Sequence, residues 1–294
     1  MANIAFLGLG NMGLPMAVNL HRAGHGVIGF DLSPSSRAQA AAAGISLAPD
    51  APTAADGAEC LITMLPAGAH VCAVYGSGVL TALAPGALAI DCSTIAVAEA
   101  RAAHELAHAA GLVALDAPVS GGVGGATAGS LTFMCGGTDI AFQRAQPMLA
   151  AMGKRIVLCG EAGAGQAAKI CNNMILGISM IAVAEAFVLA EKLGLSHQAL
   201  FDVAANASGQ CWSLTSYCPV PGPVPVSPAN NEYKPGFATA LMLKDLRLAD
   251  EAAETCGANT ELGHHAATLF ARFAEAGGAG LDFSGIITGI RQGS

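Results

Sequence analysis

Positive charge is scarce in this sequence. Its 294 residues include only 13 lysines and arginines against 21 aspartates and glutamates, so the formal net charge is -8, and basic residues nowhere form a run. Surfaces that bind nucleic acid or anionic membranes need clustered Lys and Arg. The composition therefore predicts neither kind of partner, and an anionic ligand would have to be held by a few placed groups.

Metal-site and disulfide patterns are also lacking. The sequence has nine cysteines, an odd number, and no pair has the spacing of metal ligands. Four of them lie within apolar runs and are expected to be buried, reduced thiols: Cys60, Cys92, Cys135 and Cys171. The adjacent His264 and His265 fit a helix surface better than a zinc site. No metal is predicted.

Signals for export or membrane insertion are missing as well. The chain begins without the basic segment, apolar core and cleavage site of a secretory signal, which favours a cytoplasmic protein. Its most apolar stretch, residues 174–184, is shorter than the roughly 20 residues that a bilayer-spanning helix needs. A buried core helix is expected there.

The first half of the chain alternates short β-branched runs with alanine-rich stretches. This is the pattern of strand, crossover helix and parallel strand, and it predicts a doubly wound sheet. Strands are predicted at residues 3–7, 27–31, 60–64, 88–91, 112–115, 131–135 and 155–158. Helices are predicted at residues 12–23, 35–43, 69–75, 96–110 and 140–151.

The second half has a helical pattern. It begins with a helix from about residue 165 to 192, which we expect to bridge two domains, and continues with helices at residues 237–256 and 262–276. A proline-rich stretch at residues 218–228 must be a loop. We place a dinucleotide-binding domain at residues 1–162 and a helical domain for substrate binding and oligomerisation at residues 163–294.

A glycine-rich turn follows the first predicted strand. The sequence Gly8-Leu-Gly10-Asn11-Met12-Gly13 connects that strand directly to a helix, which is the context that a dinucleotide fingerprint requires. Gly8 permits the tight turn, Gly10 lets the backbone approach the pyrophosphate, and Gly13 lets the helix pack on the strand. The helix N-terminus supplies free N–H groups for the phosphates. A flexible glycine loop would not explain this placement.

An acidic residue follows the second strand. Asp31 lies roughly 20 residues beyond the glycines, where a carboxylate accepts hydrogen bonds from the adenosine ribose hydroxyls. A 2′-phosphate would meet like charge there, and Arg37 is the only cation near enough to offset it. The cofactor is therefore predicted to be NAD, with NADP disfavoured.

Three further segments carry a resemblance to a known family: Asp91-Cys-Ser-Thr-Ile95, Asp116-Ala-Pro-Val-Ser-Gly-Gly122, and residues 163–173, Gly-Ala-Gly-Gln-Ala-Ala-Lys-Ile-Cys-Asn-Asn. With the glycine turn they resemble the β-hydroxyacid dehydrogenases over nearly the whole chain, and within them most closely the branch acting on 3-hydroxyisobutyrate. The resemblance implies an α/β Rossmann-type N-terminal domain, an all-α C-terminal domain joined by a long helix, and an oligomer. It also implies NAD-dependent oxidation of 3-hydroxyisobutyrate to methylmalonate semialdehyde in valine breakdown.

The same resemblance assigns the catalytic lysine to Lys169. We expect Gly163 and Gly165 to open the long helix, so that Lys169 lies in or near its first turn. There the helix dipole and burial both lower the pKa of a lysine, as a general base working near neutral pH requires. Asn173, four residues later on the same helical face, would orient the substrate hydroxyl or the lysine. Asn172 is expected to point elsewhere.

Substrate and cofactor contacts complete the predicted site. Ser120, Gly121 and Gly122 offer a hydroxyl and two N–H groups as an anion nest for the substrate carboxylate, although composition alone fits a loop between two strands equally well. The resemblance adds cofactor contacts and two possible walls of the substrate pocket. The cofactor contacts are Leu65, Pro66, Thr94 and Lys244, and the walls are Trp212 and Tyr217.

Other functions share parts of this pattern. Tartronate semialdehyde reductases and serine-type 3-hydroxy acid dehydrogenases have the same motifs, so the substrate's side chain stays open. Imine reductases usually have another residue where this chain has Lys169, and a non-catalytic dinucleotide-binding protein would lose that lysine. The long apolar helix favours a homo-oligomer, a dimer or a tetramer, because a monomer would expose it.

Overall fold

The computed structural model describes residues 1–293. The chain divides into two compact units, one spanning Met1–Lys169 and one beginning at Ile170. The two units are described in turn.

The first unit is built on one nine-stranded sheet. Its strands are β1 (Asn3–Leu7), β2 (Gly26–Phe30), β3 (Ser46–Leu47), β4 (Cys60–Thr63), β5 (Leu88–Asp91), β6 (Val113–Asp116), β7 (Val119–Ser120), β8 (Leu131–Gly136) and β9 (Gly153–Gly160). Its helices are α1 (Gly13–Arg22), α2 (Pro34–Ala42), α3 (Ala51–Ala55), α4 (Gly68–Val74), α5 (Leu80–Ala82), α6 (Val97–Ala109), α7 (Gly122–Ala128) and α8 (Asp139–Met152), with a π-helical turn at Tyr75–Val79.

Strand order determines where a ligand can bind in this sheet. The first six strands are parallel and ordered β3-β2-β1-β4-β5-β6, so the chain reverses its direction across the sheet between β1 and β4. In open α/β sheets, ligands bind beyond the carboxyl ends of the strands at such a reversal. Both β4 and β5 are buried along their whole length, as apolar strands covered by helices on both faces must be.

The far end of the sheet differs from the prediction. The predicted strands are all present, but β8 runs antiparallel to β6 and to β7, a short strand that was not predicted. Strand β9 then pairs parallel to β8. Two residues of β7 are too few to show a period in the sequence.

The second unit is helical. Helix α9 (Ala164–Lys192) begins in the first unit and continues into the second, followed by α10 (His197–Ala204), α11 (Trp212–Thr215), α12 (Thr239–Cys256), α13 (Glu261–Glu275) and α14 (Ile286–Gln292). Its core contains large, fully buried side chains from three helices and a 3₁₀ turn: Met180, Phe187, Met242, Phe270 and Phe283. Of the proline-rich residues 218–228, predicted to be a loop, 218–227 lie outside helices and strands, and Pro228 begins a 3₁₀ turn (Pro228–Asn231).

The apolar run at residues 174–184 lies within a longer helix than its own length suggested. Helix α9 has 29 residues, and by length and composition it could cross a membrane; its most apolar window has a mean hydropathy of 2.0 and is 44% buried. Met180, Ala184 and Phe187 have no exposed surface and pack in the core of the second unit. The expectation of a core helix thus rests on this packing, because helix length alone does not support it.

Candidate functional site

The glycine turn has the tight geometry that the sequence predicts. Gly8 has a φ of +94°, and its N–H donates to the carbonyl oxygen of Phe30 at 3.0 Å. A Cβ at Gly8 would overlap the Met64 carbonyl oxygen, and a Cβ at Gly13 would overlap the carbonyl oxygen of Gly8. These two glycines therefore make the turn itself possible.

Gly10 has a different role in the turn. A Cβ there would meet no atom within 4 Å, and the residue is exposed. The fold alone does not require glycine at this position, whereas a pyrophosphate lying against the backbone would. Asn11 and Met12 follow, and α1 begins at Gly13, where the N–H of Leu14 donates to the Gly10 carbonyl oxygen at 3.0 Å; the positive end of the helix dipole therefore lies at the turn. The turn fits a dinucleotide phosphate.

Asp31 is tied to the turn through both of its carboxylate oxygens. One oxygen accepts the N–H of Leu9 at 2.7 Å, and the other accepts the N–H of Ser33 at 2.7 Å. Each carboxylate oxygen can accept more than one hydrogen bond. Asp31 can therefore hold the glycine turn in place and still accept from ribose hydroxyls.

We expect Asp31→Asn to weaken NAD binding and to raise the ratio of NADP to NAD affinity by about tenfold, since the negative charge that repels a 2′-phosphate is lost. Titration calorimetry with each dinucleotide measures both dissociation constants. Asp50→Asn is the matched control, because Asp50 also accepts a backbone N–H, from Thr53 at 2.8 Å, but caps a different helix. An unchanged ratio in Asp31→Asn would remove Asp31 from cofactor selection.

A hydrogen bond joins the loop after β4 to the loop after β5. The N–H of Leu65 donates to the Ser93 hydroxyl at 2.8 Å. Pro66 is exposed and Thr94 is half-buried, so the two loops present the predicted cofactor contacts Leu65, Pro66 and Thr94 beyond the carboxyl ends of neighbouring strands. Sequence motifs assigned no role to Ser93.

A buried carboxylate, Asp91, anchors these loops. Its Oδ1 accepts hydrogen bonds from the Thr63 hydroxyl at 2.7 Å and from the Ser93 hydroxyl at 2.6 Å. Within the described part of the chain, its Oδ2 is buried without a hydrogen-bond partner. Burial, and to a smaller extent the nearby Asp116 carboxylate, raises the pKa of Asp91 to about 6, against the lowering effect of the hydrogen bonds from Ser93 and Thr63.

Asp91 makes the stability of the fold depend on pH. Its pKa rises from 3.8 when unfolded to about 6 when folded, so its contribution to stability is present below pH 4 and is lost as the pH rises towards 6. We expect Asp91→Asn to gain about 2 kcal/mol relative to wild type between pH 4 and pH 7. Urea unfolding at both pH values measures this. Asp139→Asn, an exposed carboxylate, is the control, and parallel pH profiles for wild type and Asp91→Asn would contradict the expectation.

The predicted anion nest is not a loop between two strands. Ser120 ends β7, and α7 begins at Gly122. Gly121 and Gly122 have φ values of +133° and +60°, a region that favours glycine. The Asn19 side chain of α1 donates to the Ala126 carbonyl oxygen of α7 at 2.7 Å, so the glycine-turn helix and the helix after the nest are joined.

Lys169 lies beside this segment. It is 6% exposed, and its Nζ donates to the carbonyl oxygen of Val119 at 2.8 Å, one residue before Ser120. Helix α9 begins at Ala164, so Lys169 is in its second turn and not in the first, where the helix dipole acts most strongly. Burial and the carbonyl contact, more than the dipole, therefore define its surroundings.

In the second unit, the predicted residues Asn173 and Lys244 belong to one cluster. The Asn173 amide donates to the carboxylate of Asp245, and the Nζ of Lys244 lies 3.9 Å from the same carboxylate. Asn173 and Asp245 are each 2% exposed. Asn172 is exposed, unlike the buried Asn173, and its amide donates to Asn173 Oδ1 at 2.9 Å. Asp245 fixes the orientation of Asn173.

The two predicted wall residues stack on each other. The rings of Trp212 and Tyr217 are 4.8 Å apart at 21°, and Tyr217 stacks on Phe283 at 5.3 Å. The Tyr217 hydroxyl donates to Asp282 at 2.9 Å; burial, then this carboxylate, raises the pKa of Tyr217. Trp212 remains 52% exposed. The Tyr217 ring is therefore held in place by stacking and by its hydrogen bond, whereas the Trp212 ring that stacks on it is accessible to solvent.

Buried polar residues are what sequence reasoning missed. Asp116, Gln166 and Ser93 lay inside quoted motifs without an assigned role, and His104 lay in a helix with no distinguishing pattern. Cys171, expected to be buried, is exposed. Among residues 1–293, no group of three or more His, Cys, Asp or Glu side chains could hold a metal ion.

Two family models match this chain. Residues 3–160 match the NAD binding domain of 6-phosphogluconate dehydrogenase. Residues 163–290 match a model described as NAD-binding of NADP-dependent 3-hydroxyisobutyrate dehydrogenase. The two matches together cover nearly the whole chain.

Individual relatives are similar over their full length. A probable 3-hydroxyisobutyrate dehydrogenase of Mycobacterium tuberculosis is 56% identical over 99% of this chain and 98% of its own length. An NAD-dependent L-serine dehydrogenase of Pseudomonas aeruginosa is 46% identical over 97% of this chain and 96% of its own length. A solved structure of Mycobacterium tuberculosis 3-hydroxyisobutyrate dehydrogenase with L-serine matches with a TM-score of 0.96 at 56% identity, covering 99% of each chain.

Proposed function

Because this chain belongs to the 3-hydroxyisobutyrate dehydrogenase family of NAD-dependent oxidoreductases, we propose that it oxidises 3-hydroxyisobutyrate to methylmalonate semialdehyde in valine degradation. The observation that carries the proposal is Lys169, a buried amine held beside the Ser120-Gly121-Gly122 segment. A dinucleotide-binding protein without catalysis would have no use for such a group.

Lys169 is proposed as the acid–base residue. In its neutral form the Nζ lone pair takes the proton of the substrate hydroxyl, and the C–O bond becomes a carbonyl as hydride leaves the same carbon. The chemistry that bound NAD would supply is acceptance of that hydride. The Val119 carbonyl oxygen orients the amine, since it accepts one of its N–H groups at 2.8 Å. In the reverse reaction the ammonium returns the proton.

The substrate carboxylate is assigned to Ser120, Gly121 and Gly122. A hydroxyl and the N–H groups at the start of α7 are donors, and charge-assisted hydrogen bonds to a carboxylate are stronger than neutral ones. Asn173, one helical turn after Lys169 on α9, is proposed to orient the substrate hydroxyl. Lys244 is proposed as a cofactor contact, and Trp212 as a face of the substrate pocket.

L-serine is the second candidate substrate. It has the same primary hydroxyl on the carbon next to the one that bears the carboxylate, with an ammonium in place of a methyl group. The serine-bound relative and the L-serine dehydrogenase of Pseudomonas aeruginosa favour it. Tartronate semialdehyde reductases share the same motifs, so the motifs do not distinguish that activity from oxidation of 3-hydroxyisobutyrate.

A substrate panel tests the proposal. NAD and NADP reduction is followed by absorbance with (S)- and (R)-3-hydroxyisobutyrate, 3-hydroxypropionate, L-serine and glycerate, and kcat/KM is compared. One enantiomer of 3-hydroxyisobutyrate with NAD is expected to give the highest value. A higher kcat/KM for serine or glycerate would refute the valine-pathway substrate, and a higher value with NADP would refute the cofactor assignment.

A homo-oligomer in the cytoplasm is proposed as the working form. Apolar side chains on and just after the C-terminal part of α9 are exposed in the single chain, Leu189 by 60% and Leu193 by 75%, and association would cover them. All nine cysteines are free thiols, which suits a reducing compartment. Light scattering of the purified protein distinguishes a dimer or tetramer from a monomer, and a monomer would refute the oligomer.

A further inference from the structure

One buried side chain, Gln166, joins the loop after β5 to the helix that carries Lys169. Its amide N–H donates to the carbonyl oxygen of Ser93 at 2.7 Å, and its Oε1 accepts the N–H of Ile95 at 3.2 Å. These two partners flank Thr94, a predicted cofactor contact. Gln166 has no exposed surface and precedes Lys169 by three residues, about one helical turn.

Asp116 fixes the start of the same helix to the sheet. Its Oδ1 accepts the N–H of Gly163 at 2.8 Å, and its Oδ2 accepts the N–H of Gln166 at 3.1 Å. The residue just before a helix usually provides such acceptors. Here the last residue of β6 provides them, and His104 Nε2 makes a further contact to Oδ1 at 3.0 Å. The helix start is therefore fixed to the sheet as well as to its own preceding loop, where the Glu161 carbonyl oxygen accepts the N–H of Ala164 at 2.9 Å.

The backbone packs tightly around the Asp116 carboxylate. A Cβ at Gly136 would lie 2.6 Å from Asp116 Oδ1, and a Cβ at Gly165 would lie 2.7 Å from Oδ2. Both distances are shorter than any real contact of a Cβ. The absence of side chains at these two positions is what lets the strand end and the first turn of α9 approach so closely.

We infer that Gln166 and Asp116 are positioning residues, which together set the place of the Lys169 amine relative to the cofactor loop at Ser93–Ile95. The inference rests on the proposed function, in which Lys169 handles the hydroxyl proton. Neither residue is assigned a contact with reacting atoms. A misplacement of a catalytic group by about 1 Å can lower a rate by about a hundredfold. Removing the hydrogen bonds of either residue should therefore lower kcat.

Two variants and a matched control test this. Gln166→Met is similar in length and removes both hydrogen bonds to the loop. Asp116→Asn retains one acceptor oxygen but turns an amide N–H towards a backbone N–H. Thr138→Ala is the control, because the Thr138 hydroxyl accepts the Ala141 N–H at 3.2 Å to cap α8, which carries no predicted site residue.

We expect Gln166→Met to lower kcat by about tenfold or more, while KM and the calorimetric NAD dissociation constant change less than about threefold. Asp116→Asn should show the same loss of kcat if the variant folds. If it does not fold, the result for Gln166→Met alone decides the test. Thr138→Ala should lower the melting temperature and leave kcat unchanged. A kcat within about twofold of wild type in Gln166→Met, or an equal loss of kcat in Thr138→Ala, overturns the inference.

A measurement without turnover separates this inference from the proposed function. Acetylation of Lys169 by acetic anhydride in NAD-saturated protein is quantified by mass spectrometry, relative to the exposed Lys154. Gln166→Met is expected to raise this ratio by about tenfold, because the buried amine becomes accessible through local opening. An unchanged ratio overturns the inference. A wild-type enzyme inactive on every hydroxy acid would refute the proposed function, and the acetylation ratio would still decide the positioning.

Discussion

Lys169→Met should lower kcat for oxidation of the hydroxy acid by about a thousandfold, which lies within the range that general acid–base groups contribute. Methionine has a similar length and an apolar stem, but it cannot take a proton. The amine is 6% exposed and is held at 2.8 Å from the Val119 carbonyl oxygen, so water and buffer bases have little access to replace it. Stopped-flow absorbance measures kcat, and calorimetry should show NAD affinity nearly unchanged.

Two further lysine variants make this result specific. Lys192→Met is the matched control, because Lys192 is exposed at the other end of the same helix, and it should keep wild-type kcat. Lys169→Arg keeps the positive charge but cannot release its proton, since the pKa of arginine is above about 12. It should therefore be as inactive as Lys169→Met. If Lys169→Met retained more than about a tenth of the wild-type rate, Lys169 would not be the acid–base group.

The sheet and the glycine turn were predictable because they depend on local sequence. Strands such as Cys60–Thr63 and Leu88–Asp91 are short apolar runs between helical stretches, and burial on both faces requires that composition. The two-residue strand β7 was not predictable, because it exists only through its pairing with β8. Similarly, helix α7 begins at Gly122 and its other six residues are all small, so the sequence has no apolar period that would predict this helix.

Site residues were predictable where they lie together in one sequence motif. The contacts that fix those residues come from distant parts of the chain and leave no pattern. His104 and Asp116 belong to different elements, and Gln166 reaches a loop more than 70 residues earlier. Asp91, buried with a pKa raised to about 6, is read from the sequence as an ordinary strand-end acid. Burial of a polar group depends on tertiary packing, which a single sequence does not display.

The glycine turn allows folding and cofactor binding to be separated by two single substitutions. Gly10→Ala should leave stability unchanged or raise it by about 0.4–1 kcal/mol, because the added Cβ meets no atom within 4 Å and Gly10 does not have a positive φ. NAD affinity should fall by about a hundredfold, since the methyl group occupies the space where the pyrophosphate approaches the backbone. Calorimetry and thermal unfolding measure the two effects on the same sample.

Gly13→Ala should instead lower the stability of the fold by about 3 kcal/mol, because its Cβ overlaps the carbonyl oxygen of Gly8 and lies 3.1 Å from the Phe6 ring. Gly76→Ala controls for the general effect of alanine, since that exposed position also has open space around it. The contrast between Gly10 and Gly13 is the decisive result. If Gly10→Ala bound NAD as tightly as Gly76→Ala does, the pyrophosphate would not lie against this turn, and the dinucleotide site would have to be placed elsewhere on the carboxyl edge of the sheet.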